Sequence, residues 1–424
     1  MRATHFTALA SLAVATVLSG QIEFHGHVNP LIRVTTDSRY LSLPHRFIQL
    51  DGERSGERVS FYFSTTMEYR LDSDVTTFDM QELYAEFSTD LGDFRFGKQT
   101  LAWGVTDGNN PTDNVNPYNY YYLFLPGSDR KVGVVAASAN LYFGNISVEA
   151  VVTPVFQPSI LPIGEPDFPI FGDGPPLRLG RPVKPTRTLE NTEAGIRVSI
   201  PMALMDLSFS YFSGIDHNFS VIPELILDRI LYPNSLGYHR TQVFGYDLVT
   251  FISDFALRVE GAYFLTEDPD ADDGFIRNPY FQYVAQVDYA GSAGNYMAQY
   301  LGTYITGIDG DEVFDFARFS TISEKENEKN VIGAKMGMPF AAIAQNAVMA
   351  SGSVELGEGS YTVRAQTLYD LDKKGYMLGG GISFHIEDAF DLDLTLSIFG
   401  GDEASRLGAL KDFSHLSISI KYSF

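Results

Sequence analysis

Ser414-His-Leu-Ser-Ile-Ser-Ile-Lys-Tyr-Ser-Phe424 ends the chain, and its apolar and polar side chains alternate one for one. Successive side chains of an extended strand point to opposite faces. Leu416, Ile418, Ile420, Tyr422 and Phe424 therefore share one face, and Ser417, Ser419, Lys421 and Ser423 the other. One face suits lipid and the other water, the signature of a strand in the wall of a membrane barrel. An aromatic final residue fits the closing strand, with Tyr422 and Phe424 the expected signal for the barrel-assembly machinery.

The opposite end agrees. Arg2, an apolar stretch from Phe6 to Leu18, and Ser19-Gly20 before Gln21 read as a secretory signal over residues 1–20, leaving 21–424 for the barrel. No window offers the roughly 18 uninterrupted apolar residues of a spanning helix, so membrane residence has to be by strands. The chain of 424 residues has no cysteine, which excludes a disulfide framework and a thiol lipid anchor. Tyrosine (24) and phenylalanine (32) are abundant against a single tryptophan, and mean hydropathy is near zero because apolar and polar positions alternate. The net charge of -23 repels polyphosphate, so no nucleic-acid partner is expected. It fits acidic loops at a cation-bridged lipopolysaccharide surface, with outer-membrane lipid around the wall and the cell outer membrane of a Gram-negative bacterium as the location.

Turn length then counts the strands. Short connections fall at Asp90–Asp93, Phe143–Asn145, Pro201–Ala203, Ser253–Asp254, Ser292–Asn295, Gly357–Ser360 and Glu387–Phe390. Long ones fall between them, at Gly104–Arg130, Phe156–Leu189, Ile215–Gly237, Glu267–Arg277, Gly307–Ala341 and Gly401–Asp412. Short periplasmic turns and long outer loops are the rhythm of outer-membrane barrels. Parity requires a strand over Tyr40–Leu50 with a turn at Glu53–Gly56, which makes the fold all-β, a single transmembrane antiparallel barrel of about 18 strands. Sixteen stays open, because Pro44 makes that extra strand a poor one. A propeller would show a repeat of about 40 residues, and none is present.

Alternation also assigns the inner face. Val59, Phe61, Phe63, Met67, Tyr69 and Leu71 read as lipid-facing, with Ser60, Ser64, Thr66, Glu68 and Arg70 inside. The same phase puts Glu82, Glu86, Arg95, Gln99, Glu193, Arg197, Arg258, Glu260, Gln282, Gln286, Asp288, Arg364 and Gln366 in the lumen. A charge facing lipid at the midplane costs about 2–4 kcal/mol, so inward is the lower-energy choice. These charges either pair and fill the barrel or line a water path that selects a polar or anionic solute. The aromatic runs Tyr118–Tyr122 and Tyr280, Phe281 and Tyr283 read as interface girdles, with a sugar-stacking surface the alternative.

Phe94-Arg-Phe-Gly-Lys-Gln-Thr-Leu-Ala-Trp-Gly104 followed by Asn110-Pro-Thr-Asp-Asn-Val-Asn-Pro-Tyr-Asn119 is the most distinctive stretch. Asn-Pro and Asp-Asn steps favour compact turns whose side chains bond their own backbone. Residues 104–130 are therefore expected to fold back into the lumen as a constriction, with Trp103, Asn110, Pro111, Asp113, Asn116 and Pro117 shaping it. Residues 156–189 form a proline-rich outer loop. Asp268, Asp270 and Asp272 stand at alternate positions like the start of a calcium loop, but Asp273 and Pro279 occupy the sixth and twelfth places, where glycine and glutamate belong. A solvated acidic loop competes with weak calcium binding there. His25 and His27 lack a third ligand nearby.

The run Arg95-x-Gly97-Lys98-Gln99 with Trp103-Gly104, Pro111-x-Asp113 and Asn116-Pro117 resembles a poorly characterised family of proteobacterial outer-membrane barrels, distantly similar to the alginate-export porins. By motif the resemblance covers about residues 80–160, and elsewhere it is architectural. It implies a porin-like channel for a small polar solute, an oligomer or a hydrophobic compound, without enzymatic activity. An anionic polymer is better served by an arginine-rich lumen than by this acidic chain. No Gly-x-Ser-x-Gly elbow or His-Glu-x-x-His helix occurs, and neither catalytic residues nor a cofactor is expected. The rival expectation is a non-conducting barrel that displays its loops as an adhesin or receptor. Homo-oligomerisation is left open.

Overall fold

The computed structural model describes residues 21–71, 75–125, 127–170, 183–226, 230–271, 273, 276–292, 294–306, 312–315, 320–323, 335–387 and 389–424. The expected signal, residues 1–20, lies outside them. Eighteen strands form one closed antiparallel barrel. The first, β1, runs in two pieces, Glu23–Val28 and Leu31–Thr35, interrupted at Asn29-Pro30 because proline brings no backbone donor. Then follow β2 (His45–Arg54), β3 (Val59–Arg70), β4 (Val75–Thr89), β5 (Gly92–Gln99), β6 (Val134–Phe143), β7 (Ile146–Thr153), β8 (Glu193–Pro201) and β9 (Met205–Ile215). The second half comprises β10 (Arg240–Ile252), β11 (Phe255–Thr266), β12 (Tyr280–Gly291), β13 (Gly294–Ile305), β14 (Asn346–Leu356), β15 (Tyr361–Asp370), β16 (Gly375–Glu387), β17 (Phe390–Gly401) and β18 (His415–Ser423).

Each strand pairs with its neighbour in sequence, and β18 closes on β1. The seam is sealed at its end by Phe424, whose amide donates to the Gly26 carbonyl at 3.0 Å and whose carbonyl accepts the Gly26 amide at 3.0 Å. In lipid every backbone polar group needs a protein partner, so closure is what makes such a wall stable. The alternation of the last strand appears as exposure: Leu416, Ile418, Ile420 and Tyr422 are exposed, whereas His415 and Ser417 are buried.

The extra strand required by parity is present but displaced. It spans His45–Arg54 rather than Tyr40–Leu50, so Pro44 precedes it and removes no ladder bond, and the turn falls at 55–58 rather than at Glu53–Gly56. The outer connections are not uniformly long: residues 71–74 and 371–374 are as short as the turns at the other end. Long outer connections carry structure of their own. Ser220–Ile226 pairs with Ile230–Gly237, and Glu312–Asp315 with Ser320–Ser323, as hairpins outside the barrel sheet.

Gly97 marks a tight place in the wall. Its φ of +138° lies where side chains are strained, and a Cβ there would stand 2.2 Å from the Leu83 carbonyl oxygen. Gly97→Val is expected to destabilise the refolded barrel by about 1–3 kcal/mol in a urea titration. Gly380→Ala, where a Cβ meets only the Arg364 carbonyl oxygen at 3.9 Å, is expected to be near neutral. Equal midpoints would contradict the strain assigned to Gly97.

Candidate functional site: a loop anchored in the lumen

Residues 100–133, between β5 and β6, turn into the barrel and are held there by the wall. At the neck, buried Asn116 staples the two ends together. Its Oδ1 accepts the Leu101 amide at 2.7 Å, and its Nδ2 donates to the Gln99 and Val132 carbonyls at 3.1 and 2.9 Å. Gln99 is buried as well, donating to the Ala136 carbonyl and accepting from Ser138.

Glu260 of β11 is fully buried and gathers the loop around its carboxylate. Oε2 accepts the amides of Val105 (2.9 Å) and Thr106 (3.2 Å), the Thr106 hydroxyl (3.0 Å) and Asn110 Nδ2 (3.2 Å). Oε1 accepts the Thr112 amide (3.0 Å) and hydroxyl (2.7 Å). A charge out of water is tolerable only when donors replace its hydration, and six do so here. Gly104 permits the approach, because at its φ of +89° a Cβ would lie 2.4 Å from Glu260 Oε1.

The same strand and its neighbours repeat the pattern. Arg258 donates to the Val105 carbonyl at 2.8 Å and pairs with Asp288 at 3.0 Å and Asp107 at 3.6 Å. Gln286 accepts the Asp107 amide and donates to its carboxylate, both at 2.8 Å. On β13, Gln299 donates to the Asp107 carbonyl and accepts from Asn109 at 2.8 Å.

The residues expected to shape a constriction hold the loop's own fold together. Trp103, 1 % exposed, packs on Gly195, where a Cβ would meet its ring at 2.5 Å. Asn110 caps Thr106 and bonds Glu260, and Pro111 supplies a carbonyl to Asn114. The Pro117 carbonyl accepts from Val132. Asp113 is buried in an ion pair with Lys131, whose Nζ also donates to the Leu101 carbonyl. Burial pushes the Asp113 carboxyl up, opposed by the adjacent ammonium.

Above this polar knot the loops build an apolar core. Tyr118, Tyr120 and Leu123 pack with Phe168 and Ile170 of the proline-rich loop, Leu41 and Leu43, the 338–344 segment, and Leu407, Leu410 and Phe413. The inward faces nearest them are apolar too, including Val284, Leu301, Leu368 and Phe399. The girdle expected at Tyr118–Tyr122 is therefore corrected: Tyr118, Tyr120 and Tyr122 are buried among the loops, because a tight turn folds the run inward. Tyr280 is also buried, stacked on Phe264 at 4.4 Å, while Tyr283 of the outward phase meets Tyr300.

Glu68 and Arg70 face inward beneath this core. The Tyr122 hydroxyl donates to Glu68 at 2.6 Å, and Arg70 pairs with Glu165 of the proline-rich loop. Lower in the barrel, Arg95 pairs with Glu86, Arg197 with Asp247 at 3.0 Å, and Arg364 with Asp393 at 3.0 Å. Glu82 accepts the Thr100 amide. Of the acidic outer loop, Asp268 accepts the Asp273 amide at 3.0 Å and Asp272 lies outside the described residues. Among the described residues no three His, Asp or Glu side chains are grouped to hold a metal.

Alternation placed Glu260 inside but carried no sign of its role, since its ligands are loop amides about 150 positions away. The mouth core did leave a signal. Met336-Gly-Met-Pro-Phe-Ala-Ala-Ile-Ala344 is a nearly unbroken apolar run inside an outer loop, which water would not tolerate.

A family model described as "Protein of unknown function (DUF1302)" matches residues 48–424. No curated protein matches the sequence. Among solved structures, OccD3 (OpdP) of Pseudomonas aeruginosa superposes with a TM-score of 0.50 at 10 % identity, over 95 % of this chain and 91 % of that one. A mutant of the Rh. blastica porin gives 0.42 at 12 % over 95 % and 100 %. A loop-deletion mutant of OmpT, an outer-membrane protein of Vibrio cholerae, gives 0.41 at 12 % over 95 % and 99 %. The likeness is one of fold, that of Gram-negative outer-membrane barrels.

Replacing Glu260 by alanine leaves the buried amides of Val105, Thr106 and Thr112 without an acceptor, at about 1–3 kcal/mol each. Hydrogen exchange of these three amides is expected to accelerate by at least tenfold in Glu260→Ala, while the β15–β16 amides stay protected. Unchanged exchange would remove Glu260 from its anchoring role.

Proposed function

This chain belongs to the DUF1302 family, and from that premise we propose that it is a porin-like channel of the outer membrane, passing a small polar solute through a lumen narrowed by residues 100–133. The observation that carries this reading is the Glu260 knot. A carboxylate that organises a loop across the bore gives the wall a direct hold on the aperture. The charged, inward-facing side chains below the knot support a wet path for polar cargo. The apolar outer band is the surface for lipid and lipopolysaccharide, and Tyr422 and Phe424 the element read during assembly. The proposed role is passage, without a chemical step. The resemblance to alginate exporters would add a polymer to the candidate cargoes, but this acidic lumen disfavours an anionic one.

A rival reading has support from one observation, the apolar core that five loops build over the mouth. In that reading the barrel is closed and its loops engage a ligand outside the cell.

Planar-bilayer recordings separate the two. Deleting residues 109–119, or replacing Glu260 by alanine, is expected to raise single-channel conductance at least twofold over the unaltered protein. Equal conductance in all three would sink the constriction role. Silence in all three, with heat-modifiable folding intact, would favour the receptor.

A further inference from the structure

The lower lumen is unevenly charged in a way that the ion pairs conceal. Resting on the channel reading, we propose that this region selects cations over anions, so that the transported solute is cationic or neutral and polar. The four arginines there are spoken for: Arg95, Arg197, Arg258 and Arg364 each contact a carboxylate. Lys421 stands directly across from Asp391 in the ladder between β17 and β18. The charge of these four arginines is therefore neutralised where they stand, whereas Asp391 pairs with His385 at 2.6 Å and leaves Lys421 with no carboxylate within 4.0 Å among the described residues, one cation against the carboxylates that follow.

Carboxylates remain in excess. Glu53 lies across from Tyr62 and Glu23, on the lumen face with Asp51, and is exposed. Glu355 lies across from Thr362, whose hydroxyl meets His385 on the same face, and is exposed as well. Asp206 shares the phase of Ser208, which bonds Arg197. Among the described residues none of these carboxylates has a cation within 4.0 Å, the limit for an ion pair. They lie at the end of the barrel opposite the long loops, where a solute that has passed the loop has to go by them.

Two physical arguments turn this surplus into selectivity. Low-dielectric walls focus the field of fixed charges into the space they enclose, which raises the local concentration of counter-ions and depletes co-ions. Screening acts over about 8–10 Å at moderate ionic strength, so the preference weakens as salt closes that distance.

The test is the reversal potential of the full-length protein in a planar bilayer under a tenfold potassium chloride gradient. Glu260→Ala is run beside the native chain to provide an open loop. Potassium is expected to be several-fold more permeant than chloride in dilute salt, and less so near 1 M. Glu53→Lys with Glu355→Lys is expected to bring the ratio to one or below, with folding checked by heat-modifiable mobility. Conducting channels with no cation preference, or with chloride preferred, would overturn the inference and leave the channel reading standing. A ratio unmoved by the double reversal would equally overturn it. Silence in both the native chain and Glu260→Ala would overturn the channel reading, and the inference with it.

Discussion

One carboxylate decides what the interior of this barrel contains. Glu260 projects from β11 and is fully buried, where an unpaired charge is costly, and among the described residues the donors it accepts from belong to residues 105–112. The loop therefore enters the bore, and its entry determines the rest. Asp107 and Asn109 come within reach of Arg258, Gln286 and Gln299, and the following turn carries Tyr118–Tyr122 up to the mouth. There the remaining loops gather on aromatic surface that would otherwise face water.

The wall follows a different necessity. A closed sheet leaves no edge unpaired, so each strand gives its backbone to two neighbours and the last strand completes the circle on the first. Phe424 and Gly26 do this with a reciprocal pair of hydrogen bonds. Glycines sit where the chain crowds itself or the plug. Gly97 lies against the β4 backbone, Gly104 against Glu260 and Gly195 against Trp103. The same residue type thus serves wall geometry in one place and plug packing in two.

The wall was legible in the sequence because its signal is local. Alternation in Ser414–Phe424 and the spacing of short turns depend on residues close in the chain, and they point to about eighteen strands, with sixteen left open, of which the barrel has eighteen. The displaced β2 shows the limit of that reading, since Pro44 breaks the pattern at a boundary that register with β3 alone decides. The plug was legible only as a compact, turn-rich loop. What holds it, Glu260 with Gln286 and Gln299, joins positions about 150–190 residues apart, and no local pattern carries such pairings. Tyr118–Tyr122 illustrates the same point. Five residues with four tyrosines look alike at a lipid interface and in a loop core, and only the turn at Asn119, whose side chain accepts the Tyr121 amide, distinguishes them.

Residues 105–112 occupy the bore of the barrel, held there by Glu260. The chain has no cysteine of its own, so a pair introduced at Asn109→Cys and Gln299→Cys reports on that placement without background. These side chains meet at 2.8 Å in the structure. The measurement is cross-linking of the two thiols by a short bifunctional thiol reagent in intact outer membranes, read by mass spectrometry of the linked peptides, because cysteines are shorter than the amide side chains they replace and a direct disulfide needs β-carbons about 3.5–4.5 Å apart. A cross-link between the two positions is expected, with little labelling of position 109 by a membrane-impermeant maleimide. No cross-link, with position 109 labelled freely from outside, would put the loop on the surface and overturn its placement in the bore.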